Sequence, residues 1–415
     1  MRRAIEHFPD AAVARGVLEQ YFLPHGRDGR PYKLSSVPSA RPTLAFQQQV
    51  ALGAFAEVWL AKEGHAGQVG INFLEKIQFA NLAGLYGAML AGVDFVLIGA
   101  GIPREIPGAL DRMAVHGEAS LKVAASGPPD APEFRIHFDP RAVFPELELP
   151  PLMRPRFLAI VSSATLAAHL VRNATGRIDG FVVELATAGG HNAPPRGPLR
   201  LSDSGEPIYG AKDVPDLEAI RALGLPFWLA GSYGSREKLH EALALGASGI
   251  QVGTAFAFCE ESGLAPHLKR AALSKWAFDR TTIPVRVFTD PHASPTTFPF
   301  KIAPLDGTLS EREVYAARPR RCDLGYLRQA VVGADGALVY RCAAEPVEDY
   351  VRKGGDVVDT VDRKCLCNAL MANIGMGQVQ PDGYVEQPLI TAGDDLVELN
   401  RFFAPGRNTL HAADV

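Results

Sequence analysis

Between residues 40 and 258 one theme recurs: a short apolar run of four to six residues, then glycine or a polar turn, then a helical pattern. The apolar runs fall at 43–46, 68–73, 94–98, 120–124, 156–161, 180–185, 226–230 and 249–252. Most are continuously apolar rather than alternating, as parallel strands buried on both faces are. The stretches 165–171, 216–223 and 235–245 read as helices, the last with Ser235 as its cap. Strands alternating with helices imply βαβ units, and eight of them predict an α/β fold closed as a (β/α)8 TIM barrel. An open doubly wound sheet is the alternative.

The rhythm spans 41–275. Before it, residues 1–40 read as an N-terminal arm, rich in Pro and Gly. After it, 276–385 reads as an appended or inserted C-terminal cap region that holds four of the five Cys. A last helical pattern within 386–415 carries Leu396, Leu399 and Phe402 and is expected to pack back on the barrel.

Composition narrows the function. Gly (40) and Pro (32) make about 17% of the chain, against roughly 12% on average, so tight turns abound. With 42 Lys and Arg against 46 Asp and Glu, net charge is −4, and dense basic runs are short. That argues against nucleic acid as a partner, since phosphate contacts need a basic surface. No apolar run reaches 18 residues, so no membrane span is expected. The charged start lacks the apolar core of a signal peptide, which reads as cytoplasmic.

Two strand ends carry the first chemical signal. Leu229-Ala230-Gly231-Ser232-Tyr233-Gly234-Ser235 runs from a strand into a helix, and Gly249-Ile250-Gln251-Val252-Gly253-Thr254 repeats the device one strand later. Free N–H groups and a helix dipole favour a phosphate there, and barrels frequently place a phosphate site after strands seven and eight. Ordinary turn and capping glycines are the plainer alternative. The second signal is Ala188-Gly189-Gly190-His191 after the strand ending at Glu184-Leu185. Two glycines let the backbone approach a flat ligand, and an imidazole follows at the rim, able to take or give a proton near neutrality. A rim histidine bonded to a local carbonyl is the alternative.

Over 156–260 these segments resemble the nitronate monooxygenase family, once called 2-nitropropane dioxygenases, and its relatives among FMN-dependent enoyl reductases. The residues that carry the resemblance are Val161-Ser162-Ser163, Ala188-Gly189-Gly190-His191, Ala230-Gly231-Ser232 and Gly249-Ile250-Gln251-Val252-Gly253-Thr254. A fainter likeness covers 69–125, through Gly70-Ile71-Asn72 and Gly99-Ala100-Gly101-Ile102-Pro103. The resemblance implies a barrel with non-covalent FMN. Gly231, Ser232, Gly253 and Thr254 would hold its phosphate. Asn72, Lys122, Gly189 and Gly190 would contact the isoalloxazine or ribityl chain, and Lys122 would stabilise the reduced anion. His191 would be the general base or acid.

Two departures bear on substrate. Asn192-Ala193-Pro194-Pro195 stands before Arg196-Gly197 where the family often has Arg-Gly directly, and Ser232-Tyr233 replaces a common Gly-Ile. Two chemistries therefore stay open for a small-molecule substrate. In one, His191 removes a proton from a nitroalkane-like carbon and oxygen completes the reaction. In the other, NAD(P)H supplies electrons for reduction of an enoyl thioester or a quinone. A flavoprotein subunit serving a larger synthase is a third possibility, and a homodimer is open. Cys322, Cys342, Cys365 and Cys367 lack paired Cys-x-x-Cys spacing, and no metal ligand set is assigned. A zinc or cluster site, buried small hydrophobes, a redox-labile pair, and thiols whose pKa values flanking Arg and Lys lower all stay open for them. Cys259 is expected to pack rather than react.

Overall fold

A computed structural model gives the architecture and describes residues 1–278 and 286–415. Residues 279–285, part of the expected cap at 276–385, lie outside the described residues. Seven of the eight apolar runs form strands. In chain order the strands that matter are β1 (Gly70–Leu74), β2 (Phe95–Gly99), β3 (Ala119–Lys122), β4 (Arg135–Phe138), β5 (Arg156–Val161) and β6 (Gly180–Glu184). There follow β7 (Gly190–His191), β8 (Phe227–Ala230), β9 (Gly249–Gln251), β10 (Phe288–Asp290) and β11 (Phe300–Ile302).

The run at 43–46 is a correction. It begins the helix Leu44–Ala61, whose first turn is capped by the Thr43 hydroxyl accepting from Phe46 N at 3.2 Å. Four apolar residues alone do not distinguish strand from helix. Here the apolar character continues for a further four turns and buries Phe46, Leu52, Phe55 and Val58. The second correction concerns 120–124. It is a strand, β3, but it pairs antiparallel with β4 in a two-stranded sheet, Leu121 opposite Ile136. The eightfold βα repeat is therefore not regular.

The chain divides into two compact units. The first comprises Met1–Ile160, Thr165–Phe181 and Asp323–Cys342. Its parallel strands run in the order β1-β2-β5, followed by the start of β6. Gly70 stands opposite Phe95, and Phe95 opposite Arg156. Within the expected N-terminal arm, the chain forms the helices Arg2–Glu6 and Ala11–Tyr21, the latter capped by Asp10. Between them Phe8 packs edge-on against Phe55 at 5.1 Å.

The second unit comprises Val161–Ala164, Val182–Cys322 and Ala343–Val415. There the remainder of β6 is followed by β8 and β9, parallel, with Gly249 opposite Trp228. A separate antiparallel sheet has the order β10-β11-β7. The expected C-terminal helix is present as a 3-10 helix, Asp394–Phe402. Its Leu396 and Leu399 are fully buried in a cluster with Ala255, Phe258, Leu268 and Leu273. Together the two units make an α/β protein built on parallel strands.

Candidate functional site

The strand ends of β6, β8 and β9 open onto one cavity of about 310 Å³ within the second unit. Six of the eight residues expected at a cofactor line it: Gly189, Gly190, Gly231, Ser232, Gly253 and Thr254. Local chemistry explains the bend at each. Leu185 N donates to Ala230 O at 3.0 Å, tying the ends of β6 and β8. Gly231 adopts φ 99°, a region that disfavours side chains, and Ser232 follows at φ 58°. Ser232 Oγ is buried and has no hydrogen-bond partner. A buried hydroxyl left unpaired is costly and points to a group that would complete it.

The far wall comes from a segment sequence reading missed. Thr391, Gly393 and Asp395 line the same cavity. Gly190 N donates to Thr391 Oγ1 at 2.7 Å, and Gly393 N donates to Thr254 Oγ1 at 2.9 Å. Backbone approaches backbone so closely that a Cβ on Gly189 would lie 2.7 Å from the Ala392 carbonyl carbon. Thr254 is thus partly committed. Burial raises the Asp395 pKa, while Thr254 and Arg401 oppose the shift. The helix after Gly253 is only Thr254–Ala257, too short for its dipole to matter much.

His191 flanks this cavity without lining it. It sits on β7 opposite Phe300, and its ring meets the Phe300 ring edge-on at 5.0 Å. Nε2 lies 2.8 Å from Ser294 Oγ. Ser294 is itself fixed, its carbonyl accepting from Arg363 Nη1 at 2.6 Å. Burial pushes the imidazole down to about 4, so it is neutral at pH 7.

Two ionisable side chains here were not singled out from sequence. Glu184 ends β6 and lines the cavity. Burial pushes its carboxyl up to about 7, against the pull of Lys301. Lys301, on β11, is buried and donates to Ala186 O at 2.6 Å and to Asp394 Oδ1 at 2.8 Å. A Lys between Phe300 and Ile302 on a short apolar strand was the only available signal.

Asn72 and Lys122 belong to the first unit. Asn72 is exposed on β1. Lys122 lines a different cavity, of about 390 Å³, with Glu75, Gln78 and Glu105. Its Nζ pairs with Glu133 Oε2 at 3.0 Å.

The cysteines form no metal centre: among the described residues no group of three or more His, Cys, Asp or Glu could hold an ion. At Cys365 burial outweighs Arg318 and pushes the thiol up to about 11. Cys259 packs as expected, buried with its thiol donating to Ala255 O at 3.3 Å. No helix of the described residues is long and apolar enough to cross a membrane.

With this geometry in place, comparison shows what part of the chain resembles. Residues 142–293 match the family model of nitronate monooxygenase, a stretch that contains every cavity residue named from the motifs. The resemblance those motifs carry is borne out there. Among particular relatives, the chain is 26% identical over 151 residues to the (3aS,4S,5R,7aS)-5-hydroxy-7a-methyl-1-oxo-octahydro-1H-indene-4-carboxyl-CoA dehydrogenase of Mycobacterium tuberculosis. It is 29% identical over 147 residues to a probable nitronate monooxygenase of Staphylococcus haemolyticus. These alignments span 36% and 35% of this chain, and only 39% of each relative. FabK from Thermotoga maritima superposes with a TM-score of 0.48 at 14% identity, covering 96% of this chain and 92% of that one, a likeness too loose to add to the family match. The family model and these relatives are described as a monooxygenase and a dehydrogenase, and the chain spans well under half of each relative's length.

Proposed function

We propose that this protein is an FMN-dependent oxidoreductase of the nitronate monooxygenase type, built on a (β/α)8 barrel at 41–275 with a cap at 276–385. The observation that carries the reading is the convergence of six motif residues on one cavity inside the family-matched stretch. The residues fit the cofactor. Ser232 Oγ needs a partner, and a Cβ at Gly253 would meet nothing within 4 Å, leaving room for a phosphate against the backbone. Gly231, Ser232, Gly253 and Thr254 would hold the phosphate. Gly189 and Gly190 would face the ribityl chain or ring. When bound, FMN supplies the electron-accepting and electron-passing chemistry that no side chain has.

His191 is the proton-transfer group in this proposal. Its neutral imidazole can accept a proton from an acidic carbon, and Ser294, held by Arg363, fixes the ring. The site acts on a small molecule, with no role for nucleic acid or membrane. A cytoplasmic location belongs to the same reading. A second reading has specific support in the name of the mycobacterial relative, which is a carboxyl-CoA dehydrogenase. In it, NAD(P)H is the electron donor and the substrate is an enoyl thioester or a quinone. A homodimer or a synthase partner would be compatible with either.

The test is spectroscopic. The purified protein, titrated with FMN, should show a flavin band at one equivalent. Anaerobic NAD(P)H should bleach it if the second reading holds. Oxygen uptake with a nitronate, without bleaching by NAD(P)H, supports the first. A protein that binds no flavin overturns both.

A further inference from the structure

We propose that Glu184 is the proton donor of this site, the acid that complements His191 as base. The proposal rests on reading the cavity in the second unit as the reaction site. Glu184 terminates β6, whose preceding residues Gly180, Phe181, Val182 and Val183 are all buried. Such a strand delivers one polar side chain, at its carboxyl end, to the place where barrel and open-sheet enzymes alike gather their chemistry. It lines the cavity beside Gly189, Ser232 and Gly253.

Its surroundings favour its neutral form. No hydrogen bond from a described residue holds the carboxyl in its ionised form, and the one charge acting on it is Lys301. Lys301 is otherwise spent: its ammonium is anchored on Ala186 O and paired with Asp394. Burial thus raises the Glu184 pKa to about 7, so the carboxyl is still partly protonated near neutrality, while burial lowers that of His191. Two titratable groups whose environments push their pKa values apart are the usual mark of an acid–base pair. A Glu placed merely to satisfy Lys301 would be bonded to it, and Asp394 holds that position instead.

The step balances simply. The O–H bond of Glu184 breaks, its proton passes to an anionic atom of the bound ligand, and the electron pair stays on the carboxylate. Lys301 is near enough to stabilise the carboxylate so formed. Water returns the proton after release.

The test compares wild type with Glu184→Gln and Glu184→Asp, each saturated with FMN by titration. FMN affinity, followed by quenching of flavin fluorescence between about pH 5 and pH 9, is the first readout. In wild type it should weaken as pH rises through 7, because a carboxylate appears in the wall facing an anionic ligand. In Glu184→Gln it should lose that inflection. The second readout is turnover with a nitronate or with NAD(P)H, whichever the loaded protein uses. Wild-type kcat/KM should fall about tenfold per pH unit above 7, as loss of one essential proton requires. Glu184→Gln should lose that limb and roughly 10²-fold in rate, and Glu184→Asp should recover part of both. FMN bound with the same inflection and the same limb in wild type and Glu184→Gln overturns the role of Glu184 alone. Failure of wild type and variants to bind FMN at any pH overturns the flavin reading beneath it.

Discussion

At the scale of single residues, Glu184 and His191 pull stability in opposite directions with pH. The His191 pKa is depressed on folding, so its contribution is present above about 6.5 and is lost as pH falls towards 4. The Glu184 pKa is raised, so its contribution is present below about 4.5 and is lost as pH rises towards 7. Glu184→Gln should accordingly be more stable than wild type at pH 8, by up to about 3 kcal/mol, with the gap closing near pH 5. Urea melts at the two pH values measure this, and an equal gap at both would contradict it. His191→Ala should keep FMN and lose roughly 10²-fold in turnover. Undiminished turnover with full flavin loading would remove His191 from the chemistry. Sequence made His191 legible because two glycines precede it. Glu184 passed unremarked because one acid at a strand end is common, and its perturbation comes from burial, which only the fold supplies.

At the scale of elements, the turns after β6, β8 and β9 do unlike jobs although their glycines look alike in sequence. A side chain at Gly189 would strike the backbone of Ala392 and Gly393, whereas one at Gly253 would meet open space. Gly189→Ala should therefore cost about 1–3 kcal/mol of stability, the usual scale of overpacking. Gly253→Asp should melt like wild type but bind little FMN, because it sets a carboxylate against phosphate. Melting curves together with flavin stoichiometry separate the two, and full flavin loading of Gly253→Asp would contradict the phosphate assignment. The elements were read unevenly. The strands at 156–161, 180–185, 226–230 and 249–252 were visible because continuous apolar runs lie between glycine-rich turns. The run at 43–46 was misread because its helix is strongly apolar overall and shows no 3.6-residue stripe. The partner of β3 was hidden because antiparallel pairing with β4 depends on a neighbour, not on the strand itself.

At the scale of the whole chain, the second unit depends on groups far apart in sequence. Arg318 and Glu386 form a buried two-pronged ion pair, at 2.7 and 2.9 Å, with Gln380 Nε2 donating to Glu386 Oε1 at 2.8 Å. Removing one partner strands the other charge. Arg318→Met should cost about 3–5 kcal/mol, while the double change Arg318→Met with Glu386→Leu should recover much of that loss. Equilibrium unfolding of the three proteins checks both statements, and a single variant as stable as wild type would contradict the first.

The amino-acid order by itself determined the parallel strands, the glycine turns at their ends and the place of His191, because these follow from local periodicity and from backbone angles that few residues tolerate. Tertiary structure alone decided that Thr391, Gly393 and Asp395 wall the cavity, that Lys301 is spent on Asp394, and that burial raises the Glu184 pKa. Those outcomes depend on contacts across roughly one to two hundred residues and on the loss of water around a charge, and neither leaves a pattern in neighbouring letters.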